Sequence, residues 1–221
     1  GNLILNSDAS VSFSNNSSNI TNSLIVDAHN GITVDQNITS VSGAVSLDGD
    51  SNNNADGTDN IAFGNVTVTS SNGITLNASN GDITSGNLTL TTANTGVTVN
   101  DDLTASGDVV IVADNNNDGN GSLVVAAGVT INTGSNTLSI TTDDLALTGS
   151  LNSTSTITLI DSDNSGIGLG DTTLGLNISD AELGNIIAGN LTFQTGSDVT
   201  VDNISAANST NISNTVTIDS A

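Results

Sequence analysis

Two stretches of the chain decide its fold: LIVDAHNGITV at residues 24–34 and VTVTSSNGITL at residues 66–76. They align without a gap, and each consists of a short alternating strand, a polar Asn-Gly turn and a second alternating strand. Residues 88–99 and 123–131 repeat the same pattern. A unit that recurs along a chain in this way is typical of solenoid proteins, in which each unit packs only against its neighbours.

A third short strand follows several of these pairs, as at residues 38–43 and 103–107. Three short strands in a turn of about 21 residues predict a right-handed parallel β-helix, or β-solenoid, of about ten coils. The gapless alignment also predicts that residues 24–34 and 66–76 lie at equivalent places in their coils. A β-sandwich is the alternative, because it too has many short strands separated by turns. The regular spacing of the Gly-Ile-Thr and Gly-Val-Thr triplets favours a single solenoid domain over residues 1–221.

The apolar residues fit a narrow all-β core. Nearly all of them are Val, Ile, Leu and Ala, whereas the chain has 3 Phe and neither Trp nor Tyr. β-Branched side chains suit a pleated, half-buried surface, and aliphatic stacks fill a thin core that needs few aromatic rings. Phe13 and Phe193 are expected in this core. Cys is absent, which excludes disulfide bonds and thiolate metal sites.

The charge of the chain limits its partners. It has no Lys or Arg, 23 acidic residues and a formal net charge of -23. Nucleic acid is excluded as a partner, because phosphate binding needs cations and base stacking needs aromatic or guanidinium planes. No apolar run approaches the roughly 20 residues of a membrane span, so no membrane insertion is expected. The expected partners are a cation, a neutral host or matrix glycan, or a protein with a basic patch.

Three loops interrupt the repeat, at residues 48–60, 114–121 and 161–171. Insertions in a solenoid bulge outward on one face, which is often the binding face. Two of these loops place oxygen side chains at positions 1, 3 and 5 and Gly at position 6, as the first half of an EF-hand loop does. These side chains are Asp161, Asp163 and Ser165 in one loop and Asp114, Asn116 and Asp118 in the other.

This spacing predicts calcium as the one candidate cofactor. Neither loop has the bidentate Glu at position 12, so a neighbouring loop must supply further ligands. Residues 52–57 form a weaker version of the same pattern. The alternative is that Asn, Asp and Gly are simply the residues that turns prefer, through Asx-turns and tolerance of positive φ.

Other candidate sites are weaker. His29 is the only His and stands in an Asn-Gly turn, so it is expected to be a surface turn residue. Enzymatic activity is not expected: β-helix lyases need Lys, Arg or Tyr, and no carboxylate pair stands out for a hydrolase. Thr-x-Thr pairs such as Thr67 with Thr69 and Thr89 with Thr91 predict outward hydroxyl ladders. Ice-binding solenoids use such ladders, which makes ice binding a remote alternative.

Four segments carry a resemblance to a known family: GNLTLTT at residues 86–92, GDVVIVAD at 107–114, ISDAEL at 178–183 and AGNLTF at 188–193. They resemble the repeat regions of filamentous-haemagglutinin-like exoproteins. Members of that family are long secreted bacterial adhesins whose shafts are right-handed parallel β-helices. The resemblance implies an extracellular or cell-surface location and a role in attachment.

The chain is strand-like at both edges, at residues 2–5 and 215–218, and no capping segment is visible. End coils that expose backbone groups and aliphatic side chains must be covered. The first hypothesis is therefore an adhesive shaft or filament subunit that either continues in a longer chain of the same repeats or associates end to end. The second is a module whose loops bind calcium or a glycan, with Phe63 as the aromatic residue closest to a loop.

Overall fold

The computed structural model describes residues 1–54 and 59–220, which form one long stack of short strands. The strands are β1 (Leu3–Ser7), β2 (Val11–Phe13), β3 (Ser18–Ile20), β4 (Leu24–Ala28), β5 (Ile32–Val34), β6 (Ile38–Ser40), β7 (Val45–Asp48), β8 (Ile61–Phe63), β9 (Val66–Ser70), β10 (Ile74–Asn77), β11 (Ile83–Ser85), β12 (Leu88–Thr92), β13 (Val97–Val99), β14 (Leu103–Ala105), β15 (Val109–Val112), β16 (Ser122–Val125), β17 (Thr130–Gly134), β18 (Leu138–Thr142), β19 (Asp144–Leu147), β20 (Ser150–Asp161), β21 (Ile167–Gly170), β22 (Leu176–Ile178), β23 (Ile186–Thr195), β24 (Val199–Asp202) and β25 (Ile212–Ser220). One short helix, α1 (Asp180–Gly184), lies between β22 and β23.

The strands line three faces of a coil. Face 1 has the order β1-β4-β7-β10-β13-β16-β19, and face 2 has the order β2-β5-β8-β11-β14-β17. Face 3 has the order β3-β6-β9-β12-β15-β18. The long strands β20, β23 and β25 turn from face 2 into face 3, so face 3 is nine strands deep in the described part of the chain. Every neighbouring pair is parallel, which confirms the predicted all-β parallel solenoid.

The register of the coils corrects one expectation. Leu3 pairs with Leu24, and Leu24 pairs with Val45, 21 residues further along the chain each time. Val45 then pairs with Ile74 on face 1, because the loop between β7 and β8 lengthens that coil. The loop shifts the repeat by one strand, so Val66 lies on face 3 whereas Leu24 lies on face 1. The predicted equivalence of these two stretches was therefore wrong.

The other copies of the repeat fall into two groups. Residues 66–76 and 88–99 run from face 3 to face 1, since Val66 pairs with Leu88. Residues 123–131 run from face 1 to face 2, as residues 24–34 do. The pattern of two strands and a turn is thus real, but it occurs at two of the three corners.

The core consists of inward side chains stacked from coil to coil. One such column on face 1 is almost completely buried, and it contains Val26, Leu47, Leu76, Val99, Val125 and Leu147. Burial of each aliphatic side chain contributes about 1.5–3 kcal/mol. Phe13 and Phe193 lie in the core as predicted, and Phe63 is buried as well.

The three loops that the sequence predicts agree with the structure to different extents. The first lies between β7 and β8, but residues 55–58 are outside the described residues, and the weaker calcium pattern at 52–57 falls partly on them. The second lies between β15 and β16, as predicted. The third is shorter than predicted, because β21 forms a buried strand inside residues 161–171. The glycines of this strand made it hard to recognise in the sequence. A β-carbon on Gly168 would clash with the Thr172 side chain, which explains the glycine at this position.

A single helical turn, α1, precedes β23. It begins with a capping box, in which the Ser179 hydroxyl accepts from the Glu182 backbone N–H and the Glu182 carboxylate accepts from the Ser179 backbone N–H. Glu182 Oε1 also accepts from Leu147 N, and Asn185 Nδ2 donates to Leu147 O, so this segment satisfies the open end of β19. In the described part of the chain, no helix has the length and apolar character that a membrane crossing requires.

Candidate functional site: an acidic corner between faces 3 and 1

Hydroxyl side chains line the inside of the corner between faces 3 and 1. Ser70 Oγ donates to the carbonyl oxygens of Gly43, at 2.7 Å, and Gly73, at 3.0 Å, which belong to the turns of two successive coils. Thr92 does the same with Asn72 O and Asn94 O. These side chains are buried, as are the equivalent hydroxyls of Ser40 and Thr142. Each hydroxyl therefore joins one tight turn to the turn of the coil before it.

Asp161 occupies the inner position that the hydroxyl residues hold in the earlier coils. It pairs in register with Thr142 and is only 3% exposed. Its Oδ2 accepts from Gly166 N at 2.8 Å and from the Thr195 hydroxyl at 2.7 Å. Two hydrogen bonds to one oxygen satisfy this buried carboxyl group.

Asp114 anchors the preceding long loop in a similar way. The residue is fully buried, and its Oδ2 accepts from Gly119 N at 3.1 Å. The same oxygen accepts from the Ser162 hydroxyl at 2.8 Å, which ties the loop of residues 114–121 to the loop that follows β20. The neighbouring loop that a calcium site would need is therefore present at this corner.

Four carboxylates of the two loops and Asp143, which follows β18, lie near each other. We call this group the acidic corner: Asp114, Asp118, Asp143, Asp161 and Asp163. A β-carbon placed on Gly119 would lie 3.2 Å from Asp163 Oδ2 and 3.5 Å from Asp143 Oδ1. Asn116 Nδ2 donates to Asp118 Oδ2 at 2.8 Å, and Ser165 N donates to Asp163 Oδ1 at 3.0 Å. All six predicted calcium ligands thus lie at this corner. Asp143 is the carboxylate of the corner that the sequence pattern did not identify.

The carboxylates of the acidic corner differ in their acidity. Burial raises the pKa of Asp143, and the negative charges of Asp163, Asp114, Asp144 and Asp161 raise it further. The Ser165 side-chain hydroxyl lowers the pKa of Asp163 by hydrogen bonding to its carboxylate. The charge of Asp143 is therefore less favourable than that of Asp163.

In each loop, a carboxylate that is predicted to bind calcium already accepts a hydrogen bond from the backbone. The position-1 carboxylates, Asp114 and Asp161, already accept the backbone N–H groups of Gly119 and Gly166, five residues further along their own loops. Among residues 1–54 and 59–220, no group of three or more His, Asp and Glu side chains has an arrangement that holds a metal ion. Calcium binding at Asp114, Asn116, Asp118, Asp161, Asp163 and Ser165 stays a prediction.

A second acidic surface lies where face 1 meets face 2. Asp27 and Asp48 stack in register on adjacent strands and point outward. With Asp8 and His29 they line an open cavity of about 510 Å³. His29 Nδ1 lies 3.4 Å from Asp8 Oδ1, and its side chain is 36% exposed, in agreement with its expected place in a surface turn.

The same surface extends towards Asp101. Burial raises the pKa of this carboxyl group, in spite of a hydrogen bond from Ala78 N, and the charges of Asp48, Asp102 and Asp50 act in the same direction as burial. Carboxylates therefore crowd this corner as well.

The chain matches no protein-family model, no curated protein and no solved structure.

Proposed function

We propose that this chain is a structural shaft element of an extracellular bacterial surface fibre. The observation that carries the proposal is the continuous stack of in-register parallel strands, which runs through nine levels of face 3 around one aliphatic core. Such a stack is a rod whose length grows by one strand spacing, about 4.8 Å, for each added coil. A rod of this kind acts through its length, its stiffness and the groups repeated along its surface.

Both end coils expose apolar side chains whose counterparts in the adjacent coils are buried. At one end the inward-facing Leu3 is 40% exposed. At the other end Val216 and Ile218 are 52% and 47% exposed, although their counterparts on β23, Leu191 and Phe193, are buried. A coil added at either end, from the same chain or from a second copy, would bury these side chains and pair the edge strands. Head-to-tail contacts of this type do not close and therefore generate filaments.

The surface charge supports an extended shaft rather than a compact assembly. The chain carries a net charge of -23 and has no Lys or Arg with which to neutralise it. Carboxylates stack along the corners, so neighbouring rods repel each other at low ionic strength. The location outside the cell and the adhesive role rest on the family resemblance of residues 86–92, 107–114, 178–183 and 188–193.

The glycan-binding alternative lacks its expected aromatic contact. Phe13, Phe63 and Phe193 are the only aromatic residues besides His29, and they are 7%, 5% and 1% exposed. None of them offers a ring on which a sugar can stack. The calcium-binding alternative rests on the acidic corner and is compatible with a shaft.

Electron microscopy of the purified protein tests the proposal. We expect unbranched fibres of uniform width, in about 5 mM Ca²⁺, near the upper extracellular range, and also in a chelator. Loss of the fibres in the chelator alone would make calcium part of the contact. Discrete particles of a single size under both conditions would overturn the filament role.

A further inference from the structure

The outward surface of face 3 is broad and largely uncharged. Its side chains form two columns, each in register from coil to coil. The first column consists of Thr67, Thr89, Val110, Ser139, Thr158 and Thr192. The second column runs parallel to it from Thr39 to Gln194. Between β6 and β23 neither column contains an acidic residue in the described part of the chain.

Face 1 carries carboxylates on its outward side, and on face 2 carboxylates stand beside a single uncharged outward column. On face 1, Asp27 and Asp48 point outward from adjacent strands. On face 2, Asp82 and Asp102 are exposed beside the outward Thr84 and Thr104. The second column continues past Gln194 to the exposed Asp219 on β25, and Asp108 and Asp143 lie just outside the strands.

We propose that face 3 is the surface through which a second copy of this chain packs side by side. Two identical rods of net charge -23 can approach closely only along a surface without charge, because like charges that meet across an interface are unfavourable. The proposal goes beyond the shaft function, since it concerns the width of the fibre and the proposed end contacts concern its length.

The chemistry of the columns is self-complementary. Threonine offers a methyl group and a hydroxyl that both donates and accepts a hydrogen bond. Val110, Val112 and Ile160 add apolar surface and are only half-buried within the rod. A second copy of the same face would place methyl groups against methyl groups and hydroxyls within reach of hydroxyls, as cross-strand Thr pairs do within a sheet.

The size of the face predicts a weak contact for each pair of chains. A surface about 40 Å long and about 14 Å wide offers roughly 500 Å² per rod, compared with roughly 800 Å² per partner in a standard interface. Association therefore strengthens with the number of coils that lie side by side, as expected for a multivalent contact. Salt should favour it, because it screens the carboxylates at the corners.

Small-angle X-ray scattering tests the proposal through the mass per unit length of the rods. At about 0.01 M salt, where the Debye length is about 30 Å, we expect single rods, and at about 1 M, where it is about 3 Å, we expect the mass per unit length to rise about twofold. The double variant Thr89→Glu with Thr158→Glu should keep single rods at both salt concentrations. The matched control, Thr84→Glu with Thr104→Glu on face 2, should pair as the wild type does.

Several results would overturn the proposal. Wild-type rods that stay single at every salt and protein concentration would do so, as would equal pairing of the two double variants. If the wild type stays single and instead adsorbs to ice through face 3, the threonine columns bind ordered water and the proposal is wrong. Failure of end-to-end growth changes the length of the rods and leaves their mass per unit length unaffected, so the two proposals fail separately.

Discussion

At the corner between faces 3 and 1, hydrogen-bond donors stabilise the tight turns and hydrogen-bond acceptors stabilise the long turns. In the tight turns after β9 and β12, the hydroxyls of Ser70 and Thr92 donate to backbone carbonyl oxygens. In the long turns after β15 and β20, the carboxylates of Asp114 and Asp161 accept from backbone N–H groups. The same corner of the same solenoid therefore uses a donor in one case and an acceptor in the other.

The difference follows from the backbone groups that each turn leaves inside. A tight turn directs carbonyl oxygens toward the corner, and a buried carbonyl without a donor costs free energy. A longer loop curls back on itself and directs N–H groups inward, as at Gly119 and Gly166, and these need an acceptor. A carboxylate serves this purpose well because it accepts several hydrogen bonds and gains strength from its charge.

The largest expected effect is the loss of a buried carboxylate. Asp161→Ala leaves Gly166 N and the Thr195 hydroxyl without their acceptor, so we expect the free energy of unfolding to fall by about 2–3 kcal/mol. Urea unfolding followed by circular dichroism measures this loss. Asp118→Ala removes an exposed carboxylate from the matching loop and should change the free energy by less than about 1 kcal/mol. Equal losses in the two variants would contradict the proposed role of Asp161.

A smaller loss is expected at a tight turn. Thr92→Val keeps the shape of the side chain but removes the donor to Asn72 O and Asn94 O, which should cost about 1–2 kcal/mol. Thr91 is the adjacent residue on the same strand and points outward. Thr91→Val should therefore change the free energy of unfolding by less than about 0.5 kcal/mol. If Thr91→Val costs as much as Thr92→Val in the same urea titration, the inner hydroxyls do not hold the turns.

Calcium should have a modest effect if the long loops bind it as predicted. With a dissociation constant of about 1 mM, about 5 mM Ca²⁺ would add roughly 1 kcal/mol to the free energy of unfolding. Differential scanning calorimetry with and without calcium measures the shift in melting temperature, and Asp163→Asn should reduce it. If calcium leaves the melting temperature of the wild type unchanged, the long loops do not bind calcium.

The smallest expected effects concern pH, and two carboxylates should behave in opposite ways. The raised pKa of Asp143 means that its charge disfavours the folded state above that pKa, and protonation relieves the cost as the pH falls through it. Asp143→Asn should therefore stabilise the protein at pH 7, and the gain should vanish below the ordinary range of Asp.

The pKa of Asp108 is lowered, first by the Thr137 backbone N–H and then by its hydroxyl. Its contribution to stability is present above the ordinary pKa of Asp and is lost as the pH falls through the lowered value. Asp108→Asn should destabilise the protein at pH 7 and have no effect in strong acid. Urea titrations at a series of pH values measure both variants, and effects of the same sign at Asp143 and Asp108 would contradict this account.

Much of the fold could be predicted from the repeat, but its register could not. The Gly-Ile-Thr triplets identified the strands, and aliphatic composition identified the narrow core. The loop after β7 lengthens its coil from 21 residues to 29, which is about one of the three sides of a coil. Leu24 and Val66 therefore align in sequence but lie on different faces. Thr91 and Thr92 are also indistinguishable in the sequence, although one points outward and the other holds a turn.

The candidate site was predictable in part for similar reasons. The 1-3-5 spacing found Asp114 and Asp161 because these residues shape their own loops. The proximity of Asp143 depends on how one coil stacks on the next, which the local pattern does not contain. The backbone N–H groups that occupy the position-1 carboxylates also become visible only when the loops are folded.

Sedimentation velocity on two end variants tests the shaft most directly. Leu3→Glu places a charge at one end of the rod, and Val216→Glu places a charge at the other. At about 0.01 M salt, where the Debye length is about 30 Å and side-by-side pairing is not expected, each variant alone should remain a single chain, a mixture of the two should form dimers through the intact ends, and the wild type should form longer species. A mixture that contains only single chains while the wild type elongates, or a wild type that never elongates, would contradict the account.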